Sequence, residues 1–181
     1  MPTYVALLRG INVGKAKRIA MADLRTVMQE LGYADVATLL NSGNVAFRAT
    51  RKAPDKLAAE ISNAIASKLN VDVPVIVQSA TDLDAIVAEN VLAANAHDHA
   101  RLLVAFVQNP TALTDLAALE SLVAPPEQFL IGSRAAYLHC ANGILESNVG
   151  AALLGKAGRR TTTRNWATVL KLLALVKKTE G

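Results

Sequence analysis

The sequence has one cysteine, Cys140, among 181 residues, so no disulfide bond can form within the chain. It contains no apolar run of about 18 residues, the minimum for a membrane-spanning helix. Its N-terminus also lacks the cationic, apolar and small-residue segments of a secretory signal. Because an unpaired cysteine suits a reducing compartment, we expect a cytoplasmic protein that does not associate with a membrane.

The common catalytic motifs are missing as well: the sequence has no GxSxG, HExxH or paired CxxC. His97 and His99 are spaced like metal ligands on a strand, but they fall in an expected loop without a third ligand nearby. His139 and Cys140 are adjacent, so in a strand their side chains would point to opposite faces. The sequence therefore identifies no catalytic residue, and we expect neither a bound metal nor a cofactor.

Positive charge is concentrated at the two ends of the sequence, although the net charge is only +4. Residues 1–22 hold four cations and no acid, and residues 147–181 hold seven cations and one acid. Residues 23–146, in contrast, hold eight cations and fourteen acids. If the fold brings the two ends together, they form one basic surface suited to phosphates. If it does not, each basic segment is only a solvated surface.

The first 80 residues predict the order βαββαβ. A helical face runs from Leu24 to Leu31 and stops at Gly32, and a second helix begins at Pro54. The predicted strands cover 3–9, 36–40, 44–49 and 73–78, from alternating or β-rich composition. This order is that of a ferredoxin-like unit, in which two helices cover one face of an antiparallel sheet.

Residues 81–181 predict a second, related unit. Thr81 and Asp84 read as a capping box for a helix. The further predicted elements are a strand at 101–108, a helix at 112–123, a hairpin at 128–132 and 134–140, a helix at 146–154 and a final helix at 164–177. The order βαββα echoes the first half, so a diverged duplication is possible. We therefore predict an α+β fold of two related ferredoxin-like subdomains, 1–80 and 81–181, with antiparallel sheets and a C-terminal helix.

The loop after the first strand is the first candidate binding site. In GINVGKAKR, glycines would let backbone N–H groups approach an anion, and Lys15 would add charge. The stretch is one residue shorter than a phosphate-binding GxxxxGK[ST] loop, and Ala16 replaces the residue that would hold magnesium. It therefore predicts a general anion-binding loop, or else a surface turn whose cations keep the protein soluble.

Two further stretches carry small polar or basic residues. Ser42 and Asn44 lie in NSGN, whose composition is also what a tight hairpin turn requires. In GKAGRRTTTRNW, Thr163 is the expected N-cap of the last helix, which would place Arg164 at the positive end of the helix dipole. A cation in that position suggests a bound anion, or else a pairing with an acid from the middle of the chain. Trp166 either stacks on a ligand or belongs to the core.

The segments VALLRGINVGK, LLNSGNVAF and TTTRNWATVLKL, in this order, resemble an uncharacterised bacterial family, a domain of unknown function. The resemblance covers nearly the whole chain and implies an α+β fold of two related subdomains, but no activity. Lys15 stands where a second glycine is common in that family, and Asn41 where glutamine is usual. The resemblance implies that the loop, the turn and the start of the last helix belong to one site.

Our leading hypothesis is a protein that binds a phosphate-bearing ligand, a nucleic acid or a nucleotide, through basic residues. The predicted site residues are Arg9, Asn12, Gly14, Lys15, Ser42, Asn44, Arg164, Asn165 and Trp166. A ferredoxin-like unit is also the architecture of RNA-recognition motifs, but here the third strand offers only Phe47 for stacking. The alternatives are an enzyme acting on a small anionic substrate and a structural or interaction module without a ligand.

Overall fold

The chain folds into eight strands and six α-helices, and the computed structural model describes all 181 residues. The elements are β1 (Thr3–Leu8), α1 (Met21–Glu30), β2 (Ala34–Leu39), β3 (Asn44–Arg48), α2 (Pro54–Leu69), β4 (Val75–Ser79), α3 (Ala80–Glu89), β5 (Leu102–Val107), α4 (Ala112–Leu116), β6 (Gln128–Ile131), β7 (Ala135–His139), α5 (Asn148–Leu154), β8 (Thr161–Asn165) and α6 (Trp166–Glu180). They form two compact units, one of Met1–Thr81 with Leu172–Gly181 and one of Asp82–Lys171.

The first unit has an antiparallel sheet in the order β2-β3-β1-β4. The apolar stripe of α1, made of Leu24, Val27 and Met28, packs with α2 and with alternate residues of β1 and β3 in one core cluster. Helices on one face of a sheet in this order define the ferredoxin-like arrangement, so the predicted fold class is confirmed.

The second unit repeats that topology, with the order β6-β7-β5-β8 and a core that joins α4 and α5 to the sheet. Strand β8 was not predicted, because its sequence TTTRN has no apolar alternation. It pairs with β5 along its whole length, from Thr161 opposite Val107 to Asn165 opposite Leu103. Each unit therefore contains a complete βαββαβ motif, rather than the βαββα predicted for the second.

Three predicted helix boundaries were wrong. The last helix begins at Trp166, because the preceding residues belong to β8. Helix α3 begins at Ala80, which places Thr81 in its first turn instead of at the N-cap. The helix predicted over 112–123 ends at Leu116 and continues as a 3₁₀ turn over Ala117–Leu122. No helix in the structure is long and apolar enough to cross a membrane.

Candidate anion-binding site

The loop between β1 and α1 is held at both ends by buried side chains and is exposed between them. Ile11 and Ile19 are buried, whereas Lys15, Lys17 and Arg18 are exposed. The backbone enters the left-handed region four times, at Gly10, Asn12, Gly14 and Lys17. None of the three cations forms an ion pair, so the loop presents uncompensated positive charge.

Asn12 fixes the shape of this loop. Its Oδ1 accepts a hydrogen bond from the Ile19 backbone N–H at 2.9 Å, and its Nδ2 donates to the Ile19 carbonyl at 2.9 Å. The same Nδ2 donates to the Asn41 carbonyl at 2.8 Å. Because both amide hydrogens are engaged within the protein, these contacts favour a framework role for Asn12 over direct ligand contact.

The loop and the β2–β3 turn lie at the same end of the first sheet. The Leu8 backbone N–H donates to the Gly43 carbonyl at 2.9 Å, where β1 gives way to the loop. Asn44 is fully buried, and its Nδ2 donates to the Leu39 carbonyl at 2.8 Å and to the Ser42 Oγ at 2.9 Å. The predicted residues Asn12, Ser42 and Asn44 are therefore brought together by internal hydrogen bonds, and their role as ligand contacts stays a prediction.

Arg9 stands between β1 and the exposed loop. Its backbone N–H donates to the Pro74 carbonyl at 3.0 Å, which ties this point of the chain to the segment before β4. The side chain is half-buried, and desolvation lowers the pKa of its guanidinium. An arginine remains charged at neutral pH under these conditions, so Arg9 adds fixed positive charge at the base of the loop.

Arg164, Asn165 and Trp166 belong to the second unit, where the last helix starts two residues later than the sequence predicted. Asn165, not Thr163, caps α6, since its Oδ1 accepts from the Thr168 backbone N–H at 2.9 Å. Arg164 lies within β8 and is 8% exposed, and its Nη1 donates at 2.8 Å to the Thr162 Oγ1 and to the Thr163 carbonyl.

Arg164 and Trp166 are both buried. Desolvation by burial lowers the pKa of Arg164 to about 10, so its guanidinium stays protonated at neutral pH. Trp166 is only 5% exposed, which favours the core alternative over a stacking surface. Their direct contact with a ligand stays a prediction.

The second unit also contains a basic cleft that the predicted site residues did not include. It has a volume of about 280 Å³ and is lined by Asp115, Lys156, Ala157, Arg159 and Arg160. The segment GKAGRR indicates positive charge from its sequence, but it does not indicate that a cleft forms there. The sequence could not show that Asp115, on α4, would lie beside that cluster.

The carboxylate of Glu89 occupies another polar cluster in the second unit. Its Oε1 accepts from the backbone N–H and the hydroxyl of Ser133, both at 2.7 Å. Its Oε2 lies 2.9 Å from the buried hydroxyl of Tyr137, which also donates to the Ile86 carbonyl at 2.7 Å. These contacts join the end of α3 to the β6–β7 turn.

The two histidines between α3 and β5 and the single cysteine differ in their exposure to solvent. His97 and His99 are exposed in the segment between α3 and β5. The thiol of Cys140 is buried, and desolvation, with a smaller contribution from the charge of Glu127, raises its pKa to about 11 despite a hydrogen bond with Ser147. A protonated, buried thiol is a poor nucleophile.

The fold and these features define an α+β protein of two ferredoxin-like units in which each unit presents exposed basic residues. The chain belongs to the family described as "Protein of unknown function (DUF1697)", which matches residues 1–137. The match includes the loop and the NSGN turn and ends before TTTRNW. No relative is found among curated proteins.

A solved structure of the conserved bacterial protein SP0830 from Streptococcus pneumoniae has a similar fold. The TM-score is 0.76 at 24% sequence identity, and the alignment covers 97% of this chain and 98% of that one. Both units therefore have counterparts in that structure. At this level of identity the comparison shows the fold alone.

Proposed function

We propose that this is a cytoplasmic protein that binds nucleic acid through the phosphate backbone, at the loop of residues 10–18 in the first unit. The observation that carries the proposal is the group of three exposed cations, Lys15, Lys17 and Arg18, none of which has an acidic partner. Phosphate contacts of this kind supply most of the affinity of non-specific nucleic-acid binding.

The rigidity of the loop supports a binding role. Its ends are anchored by Ile11 and Ile19, and Asn12 closes it with hydrogen bonds to Ile19 and Asn41. Side chains on a loop that is already fixed lose less conformational freedom when a ligand binds. The cations lie on an open surface, which suits a polymer that lies across the loop better than a small ligand that must be enclosed.

The aromatic residues of the first sheet favour backbone contacts over base recognition. Tyr4 and Phe47 stack on each other with ring centroids 5.7 Å apart, and both are buried in the core that faces the helices. RNA-recognition motifs instead stack bases on aromatic side chains of the corresponding strands. We therefore propose binding that depends weakly on base sequence and strongly on salt.

Fluorescence anisotropy of a labelled 20-nucleotide RNA tests this proposal over a range of salt concentrations. Three phosphate contacts predict a slope of log K against log salt of about −2 for a single strand. The variant Lys15→Ala/Lys17→Ala/Arg18→Ala removes all three contacts and should abolish most of the binding.

The matched control is Arg51→Ala/Lys56→Ala/Lys178→Ala, which removes the same charge from exposed positions outside the loop. It should bind RNA nearly as well as the wild-type protein. Equal loss in both variants would mean that net charge alone attracts the RNA, and the loop would not be the site. Absence of saturable binding by the wild-type protein would contradict the proposed function.

A further inference from the structure

The second unit carries a shallow basic cleft, which is open to solvent and lined by exposed residues. Its walls come from α4, which provides Asp115, and from the 3₁₀ turn before β8, which provides Lys156. Three cations and one carboxylate line it, so its net charge is positive. The volume of about 280 Å³ is near the lower limit of small-molecule sites, which begin at about 300 Å³.

Two of the three cations have no partner within the protein. Asp115 forms an ion pair with Arg160, with Oδ2 and Nη1 2.8 Å apart. Lys156 and Arg159, in contrast, form no ion pair and are exposed. The ion pair orients Arg160, and the other two side chains are available to an anion.

The backbone that carries these cations is fixed by close packing. Gly158 is buried, and a Cβ atom at this position would lie 1.8 Å from the Leu153 carbonyl oxygen, so only glycine allows this turn to pack on α5. The Thr161 hydroxyl donates to the Gly158 carbonyl at 2.8 Å, where β8 begins. Lys156 and Arg159 therefore project from a turn that is held on both sides.

The topological repeat places the cleft and the loop at equivalent ends of the two sheets. In the second unit Val107, the last residue of β5, pairs with Thr161, the first of β8. In the first unit Leu8, the last residue of β1, pairs with Val75, the first of β4. Exposed cations thus gather where the first strand of each unit ends, although different loops supply them.

We propose that this cleft binds the terminal phosphate of a phosphate monoester. Lys156 and Arg159 would contact the phosphate oxygens, and Arg160, held by Asp115, would add positive charge to the lining of the cleft. A dianionic phosphate matches two unpaired cations, and charge-assisted hydrogen bonds from arginine suit its oxygens. This proposal does not depend on nucleic-acid binding by the loop, because it rests on residues of the second unit alone.

The test follows backbone amide signals by ¹H–¹⁵N NMR while inorganic phosphate, adenosine 5′-monophosphate or adenosine is added. Phosphate and the monophosphate should produce saturable shifts at residues 155–160, and adenosine should not. A 5′-phosphorylated oligonucleotide and its 5′-hydroxyl form then decide whether the phosphate can come from a polymer end or only from a small molecule.

Three variants assign the effect to the cleft. Lys156→Ala/Arg159→Ala should weaken binding about tenfold or more, through the loss of charge-assisted hydrogen bonds. Asp115→Asn keeps an oxygen for Arg160 but removes the repulsive charge, so it should tighten binding. The control variant Lys171→Ala/Lys178→Ala removes two exposed cations of α6 that form no ion pair, and it should leave the affinity for phosphate unchanged.

Two results would overturn the proposal: no saturable shift at residues 155–160 with phosphate at about 100-fold molar excess, or equal weakening in the α6 control. A decrease in affinity for phosphate in Asp115→Asn would also contradict the proposal. This single variant tests the cleft independently of whether Lys156→Ala/Arg159→Ala folds. The loop variant Lys15→Ala/Lys17→Ala/Arg18→Ala should leave these shifts intact, so failure of the cleft and failure of the loop can be told apart.

Discussion

Replacing Gly43 by alanine should destabilise the first unit more than the same change at any exposed glycine of the basic loop. Gly43 has a φ of +88°, a left-handed conformation that costs an L-residue about 1–2 kcal/mol. A Cβ atom there would lie 2.7 Å from the Leu8 Cβ and 2.9 Å from the Ile11 Cδ1. Both neighbours are buried, so relief of this overlap costs about 1–3 kcal/mol more. The expected loss is therefore about 2–5 kcal/mol.

Gly14→Ala is the matched control, because Gly14 has a φ of +69° but no neighbouring atom within 4 Å of the point that a Cβ would occupy. It should lose only the conformational part, about 1–2 kcal/mol. Urea unfolding followed by far-ultraviolet circular dichroism measures both variants against the wild-type protein. If Gly43→Ala lost no more free energy of unfolding than Gly14→Ala, the close packing of the turn on Leu8 and Ile11 would not contribute to stability, and the reasoning would fail.

Three further predictions concern buried or hydrogen-bonded groups of the second unit. Burial opposes ionisation of Glu89, but hydrogen bonds from Ser133 and Tyr137 outweigh it and lower the pKa of this carboxyl below its ordinary value. Its contribution to stability is therefore present above the unfolded-state pKa and is lost as the pH falls through the folded-state pKa. Carboxyl ¹³C titration should show this lowered pKa, and the pKa should rise towards its ordinary value in Ser133→Ala; an unchanged pKa would contradict the assignment. Cys140, buried and with its pKa raised to about 11, should react with a thiol reagent in urea much faster than in the native protein, and equal rates would refute the burial. Trp166, 5% exposed, should resist quenching by acrylamide until the protein unfolds, and ready quenching in the native state would oppose its place in the core.

The regular elements of the first unit could be predicted because each has a strong local signal. The spacing of Leu24, Val27 and Met28 predicted the buried stripe of α1, and Gly32 with a φ of +85° follows the helix as expected. Pro54 begins α2, as its fixed φ favours. Apolar periodicity and turn residues are local properties, and the ferredoxin-like topology follows from their order.

Strand β8 could not be predicted, because its stability comes from its neighbour rather than from its own sequence. Thr161 and Thr162 are buried without being apolar, and Arg164 lies among them at 8% exposure. The backbone hydrogen bonds of β5 and the side-chain hydrogen bonds of Arg164 satisfy these polar groups. Sequence patterns assign such a segment to a loop, and this error placed the expected start of the last helix at residue 164, two residues too early.

The same limit applies to the candidate site. Small polar residues next to glycine can bind a ligand or bind the backbone, and the sequence alone gives both alternatives the same weight. The hydrogen bonds in the structure distinguish these two alternatives. Asn12 and Asn44 use both amide hydrogens within the protein. The exposed cations of the loop, in contrast, form no ion pair: Lys15, Lys17 and Arg18. Loss of an engaged amide should therefore alter the stability of the loop, whereas loss of Lys15 or Lys17 should not. Arg18 also donates from Nη1 to the Gly14 carbonyl at 3.2 Å, so its loss removes one contact within the loop. This difference between the amides and the cations follows from the contacts within the protein, and it does not depend on the identity of a ligand.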